Sequence, residues 1–157
     1  GNDPARQQAI VEAGAALFHQ AGIESQAMAN VHQARWHKLV WNVPYNGLSV
    51  LLGAGTTAMM ADESSRELIQ ALMAEVVLGA RACGHEIPAS YAEQMFTITE
   101  TMDDYLPSMY HDHVHKRPLE LAAIYARPLA VAKAAGCELP RIQALYQALS
   151  FIDRHNR

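Results

Sequence analysis

Apolar residues recur at helical spacing through nearly the whole chain, and strict alternation is confined to short stretches. Ile10, Ala13 and Leu17 fall on one face before Gly22, and Asp3-Pro4 supplies an N-cap followed by a first-turn proline. Asn30 can cap a second helix running to Gly53, which carries Trp36, Leu39, Val40, Trp41, Val43, Leu48 and Val50. Pro44 lies inside it. A proline there removes one amide and crowds the carbonyl of Val40, which predicts a kink. Gly53-Ala54-Gly55-Thr56-Thr57 reads as a turn, and Asp62 as the cap of a long helix burying Leu68, Ile69, Leu72, Met73, Val76 and Val77 before Gly84. Pro88 opens a helix expected through about residue 104, and 107–117 reads as a loop or short turn. Pro118 starts a helix towards Gly136 with a kink from Pro128 near Ile124, and Pro140 starts the last. Ile23-Glu24-Ser25 is the candidate for a brief strand. The pattern predicts an all-α fold.

One polar set does not belong to a plain core. Lys38, Asn42 and Asn46 recur at intervals of four, so on a helix each lies only about 40° from the last and the three share a face. Spacing alone assigns such a row to a solvated stripe. The segment is otherwise so apolar that one ammonium and two carboxamides on it suggest a different use, the holding of a small oxygen-rich anion. Ser108-Met109, Asp112 and Glu120 arrive later in the chain and supply a hydroxyl and carboxylates that could converge on the same place.

Composition narrows the alternatives. The 157 residues suffice for a real core and are 50% hydrophobic. A net charge of −4 and a pI near 6.0 argue against an electrostatic nucleic-acid binder. Residues 39–61 carry no formal charge, but their asparagines, proline, glycines and threonines argue against a membrane span. No secretory signal pattern is visible, and a cytoplasmic protein is expected. Cys83 and Cys137 form no Cys-x-x-Cys pair and read as reduced thiols, with a disulfide left to geometry. His111, His113 and His115 surround Asp112, and on a helix the first and last would share a face. In a loop without further partners they read as solvated, so no metal site is expected.

Lys-x-x-x-Asn-x-x-x-Asn at 38–46, with Trp36-His37 before it and Asn46-Gly47-Leu48 closing it, followed far downstream by Ser108-Met109-x-x-Asp112 and Glu120, resembles the C-terminal domain of ketopantoate reductases (2-dehydropantoate 2-reductases). The likeness runs from about residue 29 to 140. It implies a helical bundle like the C-terminal domain of 6-phosphogluconate dehydrogenase-like reductases. It also implies that residues 1–27 are a remnant of an N-terminal Rossmann domain, its last helix and short strand, and that 28–157 form the substrate-binding and dimerisation domain. No Gly-x-Gly-x-x-Gly dinucleotide loop lies in the chain, and 53–57 lacks the spacing of a phosphate cradle.

By that resemblance the reaction is the NADPH-dependent reduction of a small 2-keto acid, ketopantoate to pantoate in pantothenate synthesis. Lys38 would be the general acid at the carbonyl oxygen, where negative charge develops. Glu120 would bond a substrate hydroxyl and help position the lysine, Asn42 and Asn46 would bind the hydroxyl and keto oxygens, and Ser108 would contact the carboxylate. Glu120 also suits the first turn of a helix on electrostatic grounds alone. NADPH would be held mainly by the missing Rossmann domain, leaving this fragment inactive by itself, and a homodimer is expected. Tyr105 and Ala126 depart from the family pattern and leave open a different 2-keto acid. A non-catalytic helical dimerisation module, or a metal-binding one, is the alternative.

Overall fold

The computed structural model describes residues 3–25, 27, 28 and 30–156; Gly1, Asn2, Gln26, Ala29 and Arg157, which belong to the two expected domains, lie outside the described residues. Among the described residues the fold is all helix, with no strand. Ile23–Ser25 is therefore not the expected strand. An extended segment needs a neighbour to pair with, and here the Ser25 hydroxyl folds back to donate to the carbonyls of Ala15 and Ile23.

Helix α1 (Pro4–Gln20) starts where Asp3 accepts from the Ala5 amide, and buries none of its residues: Leu17 and Phe18 remain 67% and 57% exposed. The core begins with α2 (Val31–Leu52), capped by the Asn30 side chain on the amides of His32 and Gln33. Every residue from 43 to 50 is buried, so α2 is enclosed all round at this level. It runs unbroken through Pro44. Short α3 (Thr56–Ala61) follows at once, and α4 (Glu63–Ala82), capped by Asp62 on Ser65, packs along α2. Helix α5 (Ala89–Thr101) stops earlier than its apolar pattern suggests. Asp104 is drawn away to accept from the Thr57 amide at the start of α3, while Thr56 and Tyr105 exchange two hydrogen bonds.

Residues 108–114 form a helix, α6 (Ser108–Val114), where a loop or short turn was expected. Its Met109 is fully buried against the core, and that burial overrides the turn-like flanks. The helix expected from Pro118 begins only at Leu121, and the Leu119 amide ahead of it donates to the Asp153 carboxylate. A π-helical turn (Ala122–Ala126) then leads into α7 (Arg127–Ala134), and α8 (Pro140–His155) completes the bundle. Pro128 has no N–H for the carbonyl of Ile124 and its ring crowds that carbonyl. The turn before it takes in one more residue, with the Arg127 amide donating to Ala122. The disturbance predicted near Ile124 is thus a π turn.

Two close approaches lock these elements. Tyr125, wholly buried, lays its hydroxyl on the Val43 carbonyl at 2.8 Å, in the space left by Gly47. Glu75 of α4, only 6% exposed, accepts from the amides of Arg141 and Ile142 at 3.0 Å each. It thereby supplies the cap that Leu139 cannot give α8.

Candidate functional site

Lys38, Asn42 and Glu120 line one cavity of about 290 Å³, together with Arg35, Leu39, Ala123, Ile124 and Arg127. Helix α2 brings the first two, because positions 35, 38, 39 and 42 share one face. The π turn brings the opposite wall. Glu120 immediately precedes that helix, and its carbonyl accepts from Ile124 at 3.1 Å, so its carboxylate sits where helix amides favour negative charge. The extra residue of the turn presents Ala123 and Ile124 to the cavity while Tyr125 points into the core.

The electrostatics are lopsided. Lys38, Arg35 and Arg127 oppose the single carboxylate of Glu120. The ion pairs of the described residues are Arg66–Glu100, Arg117–Asp112 and Arg141–Glu75, so none of these four is neutralised by a close partner. A cavity with surplus positive charge, one acceptor and one half-buried carboxamide can take up a small anion, hold a hydroxyl on Glu120 and offer an ammonium proton. A second, open cavity of about 820 Å³ lies on the other side of the Lys38–Asn42 edge, walled by Trp41, His37 and Tyr91 among others. The Nε2 of His37 is buried there with no hydrogen-bond partner, and its ring leans on Tyr91 at 4.6 Å. Burial pushes the Tyr91 phenol upward.

Asn46 and Ser108 do not join that cavity wall. Asn46 is 3% exposed and its Oδ1 accepts from the Ser108 hydroxyl at 3.3 Å and the Met109 amide at 3.2 Å. The pair ties the start of α6 to α2, two turns beyond Lys38. Asp112 is held by Arg117 at 2.8 Å. His115 turns its Nδ1 to the carbonyl of His111, and no cluster of three potential metal ligands occurs among the described residues. Sequence reasoning missed Arg35 and Arg127. Arg35 was within reach, standing three residues before Lys38, whereas the position of Arg127 depends on a π turn that periodicity does not announce.

Residues 30–153 match the sequence family described as the C terminal of ketopantoate reductase PanE/ApbA. The chain belongs to that family. A 2-dehydropantoate 2-reductase of Nostoc sp. (strain PCC 7120) is 45% identical over 140 residues, which is 89% of this chain and 44% of the relative. The crystal structure of 2-dehydropantoate 2-reductase from Geobacter metallireducens GS-15 superposes with a TM-score of 0.86 at 39% identity, covering 91% of this chain and 48% of that one. A dimeric ketopantoate reductase from Staphylococcus aureus gives 0.79 at 27% identity, over all of this chain and 53% of its own. The chain therefore spans about half the length of these relatives, which are oxidoreductases by name. No helix among the described residues is long and apolar enough to cross a membrane.

Proposed function

We propose that this chain is the substrate-binding and catalytic helical domain of a nicotinamide-dependent 2-keto acid reductase, with 2-dehydropantoate as substrate. The observation that carries the reading is that Lys38 and Glu120, eighty-two positions apart, stand on the walls of one small cavity with Asn42 beside them.

On this reading the keto oxygen lies at the Lys38 ammonium, with the Asn42 carboxamide donating a second hydrogen bond. Reduced nicotinamide, when bound, supplies the hydride for the carbonyl carbon. As charge grows on the oxygen, Lys38 Nζ passes it a proton and the oxygen becomes the product hydroxyl. Solvent reprotonates the exposed amine. Glu120 accepts from the substrate's own hydroxyl and fixes which face of the carbonyl is open. Asn46 and Ser108 act one step back, holding α6 against α2.

The residues present fit the reacting end of NADPH and no more. The open cavity beside Lys38 has aromatic walls in Trp41 and Tyr91, and these would hold a nicotinamide ring. A dinucleotide-binding domain joined ahead of residue 28 would hold the phosphates, in a cytoplasmic, homodimeric enzyme.

The test is kinetic. In the reductase that contains this domain, Lys38→Gln is expected to lower kcat for 2-dehydropantoate by about 10²–10⁴-fold, and Glu120→Gln to raise KM and lower kcat together. Wild-type turnover by Lys38→Gln removes the reading.

A further inference from the structure

Glu120 stands on a corner of the chain, ahead of the regular helix that begins at Leu121. Within the corner the Leu119 carbonyl accepts from the Leu121 amide at 2.8 Å, and the Glu120 carbonyl from Ile124 at 3.1 Å. The Glu120 side chain is exposed and makes no hydrogen bond or ion pair among the described residues. Its aim into the cavity therefore depends on the backbone beneath it. That backbone is also held from outside: Asp153 Oδ1, on α8, accepts from the Leu119 amide at 2.9 Å, one residue before Glu120. Asp153 occupies the last turn of α8, where the helix carbonyls disfavour a carboxylate and where Arg154 and His155 follow the ordinary preference. A residue set against its local preference points to a contact elsewhere, and the Leu119 amide is such a contact. The end of α8 is itself braced, since Asn156 Nδ2 donates to the His113 carbonyl of α6 at 2.6 Å.

We propose that Asp153 is a positioning residue: through the Leu119 amide it sets the corner from which Glu120 reaches a ligand hydroxyl. Leu119 is only 8% exposed, but apolar burial is non-directional and leaves the corner free to pivot. A hydrogen bond to a charged acceptor is directional and fixes it. Asp153 lines neither cavity beside Lys38, so it acts through Glu120 and not on the ligand. That Glu120 meets the hydroxyl of a keto acid rests on the reductase reading above; that Asp153 governs the placement of Glu120 does not.

The experiment is steady-state kinetics of the whole reductase containing this domain. The variants are Asp153→Ala, Asp153→Asn, Glu120→Ala, Lys38→Gln and the combined Asp153→Ala/Glu120→Ala, each assayed where its melting curve shows it folded. Alanine suits the last turn of a helix, and asparagine keeps an acceptor oxygen at the same reach. The substrates are 2-dehydropantoate and 3,3-dimethyl-2-oxobutanoate, the same keto acid without its hydroxyl. Asp153→Ala should lower kcat/KM for 2-dehydropantoate by about ten- to hundredfold and lose far less on the analogue. Asp153→Asn should recover most of that loss. In the Glu120→Ala background Asp153→Ala should cost little further, since the carboxylate it aims is gone. The proposal is overturned if Asp153→Ala turns over 2-dehydropantoate as the wild type does, or if it loses equally on both substrates. It is overturned also if Asp153→Asn is as impaired as Asp153→Ala, or if the Asp153 and Glu120 losses multiply. Coupled losses at Asp153 and Glu120 beside an unimpaired Lys38→Gln would remove the reductase reading and keep the positioning. Impaired Lys38→Gln and Glu120→Ala, with an independent Asp153→Ala, would do the reverse.

Discussion

Gly47→Ala puts two well-known effects in opposition at one position. In a helix interior alanine is favoured over glycine by about 1 kcal/mol, so on propensity alone α2 gains. Gly47, however, is buried against the π turn, and a methyl group there would overlap the Tyr125 hydroxyl and come within 2.8 Å of Leu145 Cδ2. The Leu145 tip can swing away. The hydroxyl cannot, because it is fully buried and held on the Val43 carbonyl. Overpacking of this kind costs about 1–3 kcal/mol, and the displaced hydrogen bond adds about 1 kcal/mol. The crowding wins, with a net loss of about 2 kcal/mol. For a domain of this size that lowers Tm by roughly 4–8 °C. Urea unfolding followed by circular dichroism should show a lower midpoint with an unchanged slope. In a Tyr125→Phe background the obstacle is gone, and the cost of Gly47→Ala should fall by about 1 kcal/mol or more. A Gly47→Ala protein as stable as the wild type, or a cost indifferent to Tyr125→Phe, refutes the reasoning.

The cap on α8 should be sensitive to charge without change of shape. Glu75→Gln leaves one carboxamide oxygen for amides that now use both carboxylate oxygens, and a loss of about 1.5–3 kcal/mol is expected in the same urea assay. Alkali gives a different signature. Burial raises the phenols of Tyr125 and Tyr45, so above the ordinary value of 10.0 the unfolded chain releases protons that the folded one keeps. Stability should be independent of these groups below that pH and fall as pH rises through it, less steeply in Tyr125→Phe; urea midpoints across pH 8–11 decide it. Pro128→Ala restores an amide beneath the Ile124 carbonyl and should let the π turn relax to α. Keto-acid affinity is then expected to drop by about tenfold or more with little change in Tm, and an unchanged affinity counts against the role given to this turn.

Helix ends were the most legible part of the fold, because their signals are local. Asp3, Asn30 and Asp62 cap as their side chains and positions imply, and Gly22, Gly53, Gly84 and Gly136 all take positive φ at or just after a helix end. The failures share one cause. Whether 107–117 is loop or helix, and whether 23–25 pairs as a strand, depends on partners far along the chain: the core that takes Met109, and a neighbouring strand that the described residues do not supply. The site divides the same way. Lys38 and Asn42 on one face follow from helical period, and their meeting with Glu120 was carried by family resemblance. That Asn46 would turn inward and bind α6 could not be read from a four-residue spacing, since an amide serves a ligand or a neighbouring helix equally well.

Pro128, eight residues after Glu120, ties the cavity wall and the fold together more closely than the lysine does. Lys38 would reach solvent from almost any straight helix. Glu120 and Arg127 are seven residues apart, a separation that in a regular helix brings both near the same face, but the turn between them also carries Tyr125, whose ring must enter the core at Gly47. A regular α-helix would have to choose between seating that ring and keeping Ala123 and Ile124 on the cavity wall. One extra residue resolves the conflict, and Pro128 enforces it by withholding an amide at the next position. The buried phenol lies behind the π turn, and the proline after it withholds the amide that would let the turn relax to α. A wall fixed in this way costs no ordering when a small anion arrives, so binding energy goes to orienting the ligand between Lys38 and Glu120.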